Sequence, residues 1–278
     1  MVKVYISVDM EGVAGISHAK PTNRGDDLYP QSVELMNGEA NAAIEGAFLG
    51  GASEVTVNDS HGQMFNLTPE KLDPRARLVQ GKKPYSMVEG ARDAGFGVAL
   101  FVGYHARAGH PRGTIAHTYT GRITLATVND RPITEAGMNA LYLGAFGVPV
   151  GMISGDDALA EELADWFPGA ELVVVKRAIS WQAADSLHPS AARDLIRQGA
   201  RRAVEKAAAA GQALVPLTMP APLKLRIAFA HPGQADIAAT IPGFDRVGDR
   251  GVAYEANDAL TLYRGFLSAA RLASTADD

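Results

Sequence analysis

The sequence predicts an α/β fold, a three-layer sandwich around a mostly parallel sheet, with a smaller α+β portion. Over the first two-thirds of the 278 residues, short β-branched runs alternate with longer segments of helical periodicity, which is typical of βαβ units. The composition then shifts near Gly211, where Pro216, Pro220 and Pro222 lie close together. We therefore predict an α/β domain over residues 1–210 and a smaller C-terminal α+β portion over residues 211–278.

Short apolar runs that are rich in β-branched residues predict the strands. These strands are Val2–Val8, Glu54–Val57, Val98–Tyr104, Ile123–Val128, Val148–Ser154, Glu171–Val175 and Leu223–Ala230. Apolar residues at spacings of three and four predict the helices, most clearly from Tyr29, where the stop is Gly50-Gly51. The helices are Tyr29–Gly50, Glu135–Phe146, Asp157–Trp166, Pro189–Ala210 and Ala256–Ala273.

The composition excludes several classes of protein. With 26 Lys and Arg against 31 Asp and Glu, the chain has no strongly basic character, so we expect no nucleic-acid partner. It contains no cysteine, which excludes disulfides, thiolate nucleophiles and thiolate metal sites. The apolar run before Asp9 is too short for a signal peptide or a membrane helix, so we expect a cytoplasmic protein with no membrane partner.

Acidic and histidine side chains follow several of the predicted strands. Asp9 and Glu11 come directly after the first strand, and His61 lies just beyond the second. His105 follows the third strand, and Glu135 begins the helix after the fourth. Because ligands of open α/β sheets bind at the carboxyl ends of the strands, these five side chains are candidates for one binding site.

A set of two imidazoles and three carboxylates suits zinc, manganese or cobalt better than magnesium or calcium. Five ligands exceed the three that one catalytic zinc usually takes, but they suffice for two ions that share a carboxylate. Each residue also has an ordinary structural explanation, since Asp9 and Glu11 suit caps or turns and a histidine is often a hydrogen-bonded core residue. Spacing alone supports a metal site and these structural roles about equally.

The loop behind His105 carries further polar side chains. His117 is a candidate for moving protons or stabilising an oxyanion, whereas we expect His110 to be exposed to solvent. Arg107 is expected either to bind a substrate carboxylate or to pair with a nearby acid.

Asp156 and Asp157 form another acidic pair at a strand end. They are expected to support the metal centre, to bind a substrate amine or to cap the next helix. Motifs of other enzyme classes are missing from the sequence: there is no nucleophile elbow, no Walker A motif and no H-E-x-x-H.

Six segments carry a more specific pattern through most of the chain. They are Ser7-Val8-Asp9-Met10-Glu11-Gly12, Val57-Asn58-Asp59-Ser60-His61, Lys83-Pro84-Tyr85-Ser86-Met87-Val88-Glu89-Gly90, Gly103-Tyr104-His105-Ala106-Arg107, Asn129-Asp130-Arg131-Pro132 with Glu135 behind it, and Ser154-Gly155-Asp156-Asp157. In number and order, these segments resemble the motifs of the zinc-dependent D-aminopeptidases of the dipeptide-transport-protein type.

The resemblance implies a dinuclear site with two Zn²⁺ ions per subunit, and the donor chemistry also admits Mn²⁺ or Co²⁺. Asp9 would bridge both ions. Glu11 and His105 would complete the protein ligands of one ion, and His61 and Glu135 those of the other.

The resemblance further implies a catalytic role for His117. We expect it to donate a proton or to stabilise an oxyanion, because a metal-activated hydroxide makes a histidine nucleophile unnecessary. The family assembles as a ring-shaped homodecamer, so a homo-oligomer is implied here.

The expected function is that of a metallo-aminopeptidase that releases N-terminal residues from short peptides or aminoacyl amides through a zinc-activated hydroxide. The loop between His105 and His117 is one residue longer than the family pattern, which leaves the preference for D- or L-residues open. Two other functions stay open, a dinuclear hydrolase of another amide or a phosphate ester, and a peptide-binding protein without catalysis.

Overall fold

The computed structural model describes residues 2–92, 94–209 and 214–277, and twelve strands and six α-helices lie in those ranges. The strands are β1 (Val2–Val8), β2 (Ala52–Asp59), β3 (Ala76–Val79), β4 (Val98–Val102), β5 (Ile123–Val128), β6 (Arg131–Pro132), β7 (Val150–Asp156), β8 (Glu171–Ser180), β9 (Ala183–Ser186), β10 (Leu223–Phe229), β11 (Phe244–Val247) and β12 (Gly251–Ala256). The helices are α1 (Tyr29–Leu49), α2 (Glu135–Gly144), α3 (Asp157–Leu163), α4 (Pro189–Ala208), α5 (Pro232–Ala238) and α6 (Ala259–Ala273).

The larger sheet has the strand order β3-β2-β1-β4-β7-β8-β9, and its strands are parallel except for β9. Side chains alternate across it: Val4, Ile6 and Val8 pack with α1 and α4 on one face, and Tyr5 packs with residues of α2 and α6 on the other. This arrangement confirms the predicted α/β class and its mostly parallel sheet.

The smaller sheet is antiparallel, with the order β11-β12-β10-β5-β6. Strand β5 turns back into β6 through Asn129 and Asp130, which have φ values of 50° and 61°. Two consecutive residues of positive φ form a turn that is typical of antiparallel hairpins. Strand β5 therefore pairs antiparallel with β6, unlike the parallel strands β1 to β4 that precede it.

The predicted boundary between residues 210 and 211 lies outside the described residues, and the division into two portions stays a prediction. The smaller sheet pairs β5, from the longer predicted portion, with β10, from the shorter one. The two portions therefore share a sheet.

Most differences from the predicted elements lie at element ends and in short strands. The closing helix begins at Ala259 rather than at Ala256, because Asp258 caps it and β12 continues to Ala256. The prediction missed β3, β6, β9, β11, β12 and α5, which are each seven residues or shorter. The last residue of the predicted helix Pro189–Ala210 lies outside the described residues. Within the described ranges, the helices do not combine the length and hydrophobicity needed to cross a bilayer.

Candidate metal centre

The five predicted ligands meet at the carboxyl edge of the larger sheet, where the chain direction switches. Strand β1 has β2 on one side and β4 on the other, so a crevice opens beyond its end. Asp9 and Glu11 lie beyond β1, His61 beyond β2 and His105 beyond β4, and Glu135 joins them as the first residue of α2. All five side chains are buried.

The loop after β1 is held so that Asp9 and Glu11 face the crevice. Its backbone is fixed by hydrogen bonds from Asp9 N to Val102 O (2.8 Å) and from Gly12 N to Gly103 O (2.7 Å). A side chain at Gly12 would lie 1.8 Å from Tyr104 O, so only glycine permits this close approach of the two loops.

Lys176, at the end of the parallel part of β8, binds the same loop from the other side. Lys176 is 1% exposed, and its ammonium group donates to the backbone carbonyls of Glu11, Val13 (3.1 Å) and Ile16 (2.6 Å). These bonds satisfy three carbonyls that the loop leaves without strand partners. Lys176 thereby fixes the turn that carries two of the candidate ligands.

Each candidate histidine uses one ring nitrogen on a backbone carbonyl and turns the other towards carboxylates. Nε2 of His61 lies 2.8 Å from Thr22 O, and its Nδ1 lies 2.9 Å from Glu11 and 3.3 Å from Asp9. Nδ1 of His105 lies 3.0 Å from Ala106 O. Metal-ligating histidines are commonly oriented by such outer hydrogen bonds.

Nε2 of His105 is the least satisfied atom of the cluster. It lies 3.5 Å from Asp9 Oδ2 and 3.4 Å from Glu135 Oε1, and it is buried without a hydrogen-bond partner among the described residues. A buried nitrogen without a partner is costly in a folded protein, and a metal ion supplies the missing partner.

His117 stands beside the cluster with a more open side chain. Its ring stacks on that of His105 with centroids 4.1 Å apart, and its Nδ1 lies 2.8 Å from Ile115 O. Its Nε2 lies 3.6 Å from Glu135, and 22% of the side chain is exposed. Ile115 and Tyr119 on either side have φ values of 53° and 61°, a costly conformation for a β-branched residue such as Ile115. The backbone strain therefore lies at the turn that presents His117.

The charges of the cluster require positive partners. Burial and the neighbouring charge of Glu11 raise the pKa of Asp9. Burial also favours neutral Glu11, but the charge of His61 outweighs burial and holds the pKa of Glu11 well below its usual value. Conversely, burial lowers the pKa of His61 and His105, but the adjacent carboxylates outweigh it and raise both pKa values well above the usual one. A divalent cation bound here would compete with protons for the histidines, because a metal ion binds the neutral imidazole.

The donor geometry fits metal ions. Ligand atoms of Asp9, Glu11 and His105 lie within 4.8 Å of one another, and so do those of His105, His117 and Glu135. The first group is the set that the family resemblance assigns to one zinc. The second set expected from the resemblance, Asp9, His61 and Glu135, does not form such a group among the described residues. The carboxylate nearest to His61 Nδ1 is that of Glu11, at 2.9 Å.

A cavity of about 790 Å³ opens in front of the cluster. It is lined by Asp9, Glu11, Thr22, Asn23, Arg24, Ser60, His61, Gly62, Gln63, Met64, Asn66, Lys82, Lys83, Ser86, Met87, His117, Tyr119, Thr120, Glu135, Leu267, Ala270, Arg271 and Ser274. The volume falls within the range of about 300–1,000 Å³ that is typical of small-molecule sites.

Other polar residues singled out in the sequence have structural roles. Asp156 caps α3 through Leu159 N (2.8 Å) and accepts from Thr114 N (2.8 Å), so both of its oxygens are engaged. Asp157 pairs with Arg112, and Arg107 pairs with Glu162 at 2.6 Å. These contacts favour capping and ion pairing over binding of a substrate amine or carboxylate.

Several residues that complete the site were missed by the sequence analysis. Lys176 directly follows the predicted strand Glu171–Val175 and ends the parallel part of β8. The search for polar residues after predicted strands, applied there too, would have found it. Tyr119 N donates to Glu135 Oε1 at 2.6 Å, and a backbone donor leaves no signal in the sequence. The cationic residues Lys82 and Arg271 are distant in sequence from every ligand motif.

Comparison with known proteins agrees with this geometry. A family model described as D-aminopeptidase matches residues 2–268. The D-aminopeptidase of Bacillus subtilis (strain 168) is 40% identical over 273 residues, which cover 98% of this chain and 97% of the relative. The solved structure of the Zn-dependent D-aminopeptidase DppA from Bacillus subtilis, described as a self-compartmentalizing protease, matches with a TM-score of 0.92 and 39% identity over 98% of each chain. By sequence and by fold, the chain belongs to the D-aminopeptidase family.

Proposed function

We propose that this protein is a zinc-dependent aminopeptidase that releases N-terminal residues, D-residues by preference, from short peptides or aminoacyl amides. The observation that carries the proposal is the buried, unpartnered Nε2 of His105 between the carboxylates of Asp9 and Glu135. Membership of the D-aminopeptidase family and the zinc dependence of the solved relative support this activity and this metal.

The proposed site holds two zinc ions per subunit. Asp9 is the proposed bridging ligand, and the positions of its two oxygens support this role: Oδ1 faces His61 and Oδ2 faces His105. Glu11 and His105 are proposed for one ion, and His61 and Glu135 for the other. Five nitrogen and oxygen ligands exceed the need of a single catalytic zinc.

When bound, the ions polarise a carbonyl oxygen and activate water for attack on the peptide carbon. His117 is the proposed proton donor to the leaving amine. Its Nδ1 is occupied by Ile115 O, so the proton that it transfers is carried on Nε2. The carboxylate of Glu135 lies 3.6 Å from Nε2.

We infer that the protein assembles as a homo-oligomer, a homodecamer, and that it lies in the cytoplasm. The description of the solved relative as a self-compartmentalizing protease supports assembly, because a compartment built by one kind of chain requires several copies. Light scattering of the purified protein measures the number of copies directly, and a monomer would overturn this part of the proposal.

Hydrolysis of paired D- and L-aminoacyl peptides and amides, at known metal content, tests the activity. We expect release of the N-terminal residue, faster from the D-series, at about two zinc ions per subunit. Phosphate esters serve as the control substrates. Turnover of esters alone would replace the proposal with a different metal hydrolase, and a protein that binds no zinc-like ion would contradict it.

A further inference from the structure

The charges that line the cavity are separated into two groups. Among the described lining residues, the only carboxylates are the three of the metal cluster. The other charged lining residues, apart from the histidines, are cations: Arg24, Lys82, Lys83 and Arg271. With ions on the cluster, the cavity therefore has an excess of positive charge, which attracts an anionic group of a substrate.

Two of these cations already have strong protein partners. Lys83 is buried, and its ammonium group donates to Asn58 Oδ1 and to the Asp59 carbonyl. Arg24 donates to the carbonyl of Phe65 and lies over the ring of Tyr29, 5.7 Å from its centroid. Both contacts hold the cavity wall together, and they occupy donors that a ligand would need.

The other two cations, Lys82 and Arg271, form what we call the cationic rim. Both side chains are exposed, and neither forms an ion pair with an acidic side chain in the described parts of the chain. Arg271 makes one hydrogen bond, from Nη2 to the carbonyl of Lys83 at 2.9 Å, which anchors the guanidinium and leaves its other donors free. A guanidinium fixed in this way is preorganised to bind a carboxylate through two parallel bonds.

The cavity is large enough to hold a short peptide. A sphere of 790 Å³ is about 11 Å across, the length of about three extended residues. A peptide of two or three residues whose first carbonyl lies at the cluster would thus fit in the cavity together with its C-terminal carboxylate. Leu267 and Ala270, on the same helix as Arg271, add apolar surface to the lining.

We propose that Arg271 and Lys82 bind the C-terminal carboxylate of the substrate, so that the preferred substrates are di- and tripeptides with a free C-terminus. The inference rests on the proposed aminopeptidase function. It adds the length of the substrate and the C-terminal group for which the site is specific. The carboxylate forms charge-assisted hydrogen bonds with the rim, while the scissile bond lies at the cluster.

The test compares D-aminoacyl di- and tripeptides with the same peptides amidated at the C-terminus, in the zinc-loaded wild type and in Arg271→Gln and Lys82→Gln. Glutamine at position 271 keeps a donor for the Lys83 carbonyl but removes the charge. We expect the wild type to have a KM about tenfold lower for the free peptides than for the amides. Arg271→Gln should raise the KM for the free peptides about tenfold, leave kcat nearly unchanged and leave the amides unaffected, with a smaller effect for Lys82→Gln.

Arg264→Gln is the matched control, because Arg264 is an exposed arginine on the same helix that does not line the cavity. Equal KM values for free and amidated peptides, unchanged by Arg271→Gln, would overturn the carboxylate site and leave the aminopeptidase proposal standing. Failure to hydrolyse either series at full zinc content would overturn the proposed function and this inference with it.

Discussion

The two walls of the cavity differ in how firmly the fold holds them. The metal wall, formed by Asp9, Glu11, His61, His105 and Glu135, is buried, and its side chains and backbone are held by hydrogen bonds from several elements. The cationic rim is exposed, and its Arg271 is held by a single hydrogen bond to the protein. The comparison suggests a division of labour: the buried wall fixes the reaction, and the exposed wall selects the substrate.

Removing the charge of Asp9 should have the largest effect on the metal wall. In Asp9→Asn we expect zinc to be lost from the site and turnover to fall by more than about 100-fold, the upper end of what loss of an outer-sphere partner costs. Metal analysis and peptide hydrolysis measure the two quantities together. Asp245→Asn, an exposed carboxylate on β11, is the control. Full zinc content and activity in Asp9→Asn would show that this residue does not bridge two ions.

His117→Ala separates proton transfer from metal binding. Because the proposed role is proton donation, we expect turnover to fall about 10²–10⁴-fold while zinc content stays at the wild-type level. The control is His18→Ala, which removes a histidine that does not line the cavity. The ligand atoms of His105, His117 and Glu135 lie within 4.8 Å of one another, so His117 could also bind a metal ion. Loss of zinc in this variant would show that His117 is a metal ligand and not a proton donor.

The five residues of the metal wall lie together, as their positions after the predicted strands indicated, whereas no sequence pattern indicated the cationic rim. The reason is local. Asp9, Glu11, His61 and His105 each follow a strand directly or within a few residues, and parallel strands bring their carboxyl ends to one edge. Arg271 lies on the last α-helix, and its approach to the cavity depends on how α6 packs against the rest of the fold. No periodicity in the sequence encodes such a packing.

The fold shows the same contrast. The parallel strands β1, β2, β4, β7 and β8 lie close to their predicted positions because their apolar runs are buried in the sheet. Strand β5 was predicted as an element, but its partner was not, since pairing with β10 joins residues about 100 positions apart in the chain. Short, partly exposed strands such as β11 have too few apolar residues to give a pattern.

Glu39 accepts a hydrogen bond from the loop that carries Asp9 and Glu11, and the pH dependence of the free energy of unfolding tests its protonation. Its Oε1 accepts from Ala14 N at 2.9 Å, its Oε2 has no partner among the described residues, and burial raises its pKa to about 7. Because the folded-state pKa lies above the usual 4.5, the group contributes stability below pH 4.5 that is lost as the pH rises through 7. From pH 5 to pH 8 the free energy of unfolding of the wild type, relative to Glu39→Gln, should therefore fall by roughly 2–3 kcal/mol.

Urea unfolding of the two proteins at both pH values measures this difference, and the subtraction removes the contributions of the metal cluster. Glu34→Gln, at an exposed glutamate, is the matched control. A difference between wild type and Glu39→Gln that is constant over this range would mean that Glu39 is ionised in the folded protein at pH 5.

Lys176→Met tests whether the metal wall depends on the loop behind it. The substitution keeps most of the side-chain volume but leaves the carbonyls of Glu11, Val13 and Ile16 without their shared donor. We expect the loop to shift and the affinity for zinc, measured by competition with a chelator, to fall about tenfold, as for other outer partners of a metal site. Lys206→Met, which removes a surface ion pair with Glu171, should not change this affinity. If both variants bind zinc as tightly as the wild type, the backbone contacts with Val102 and Gly103 alone hold Asp9 and Glu11 in place, and Lys176 serves only the stability of the fold.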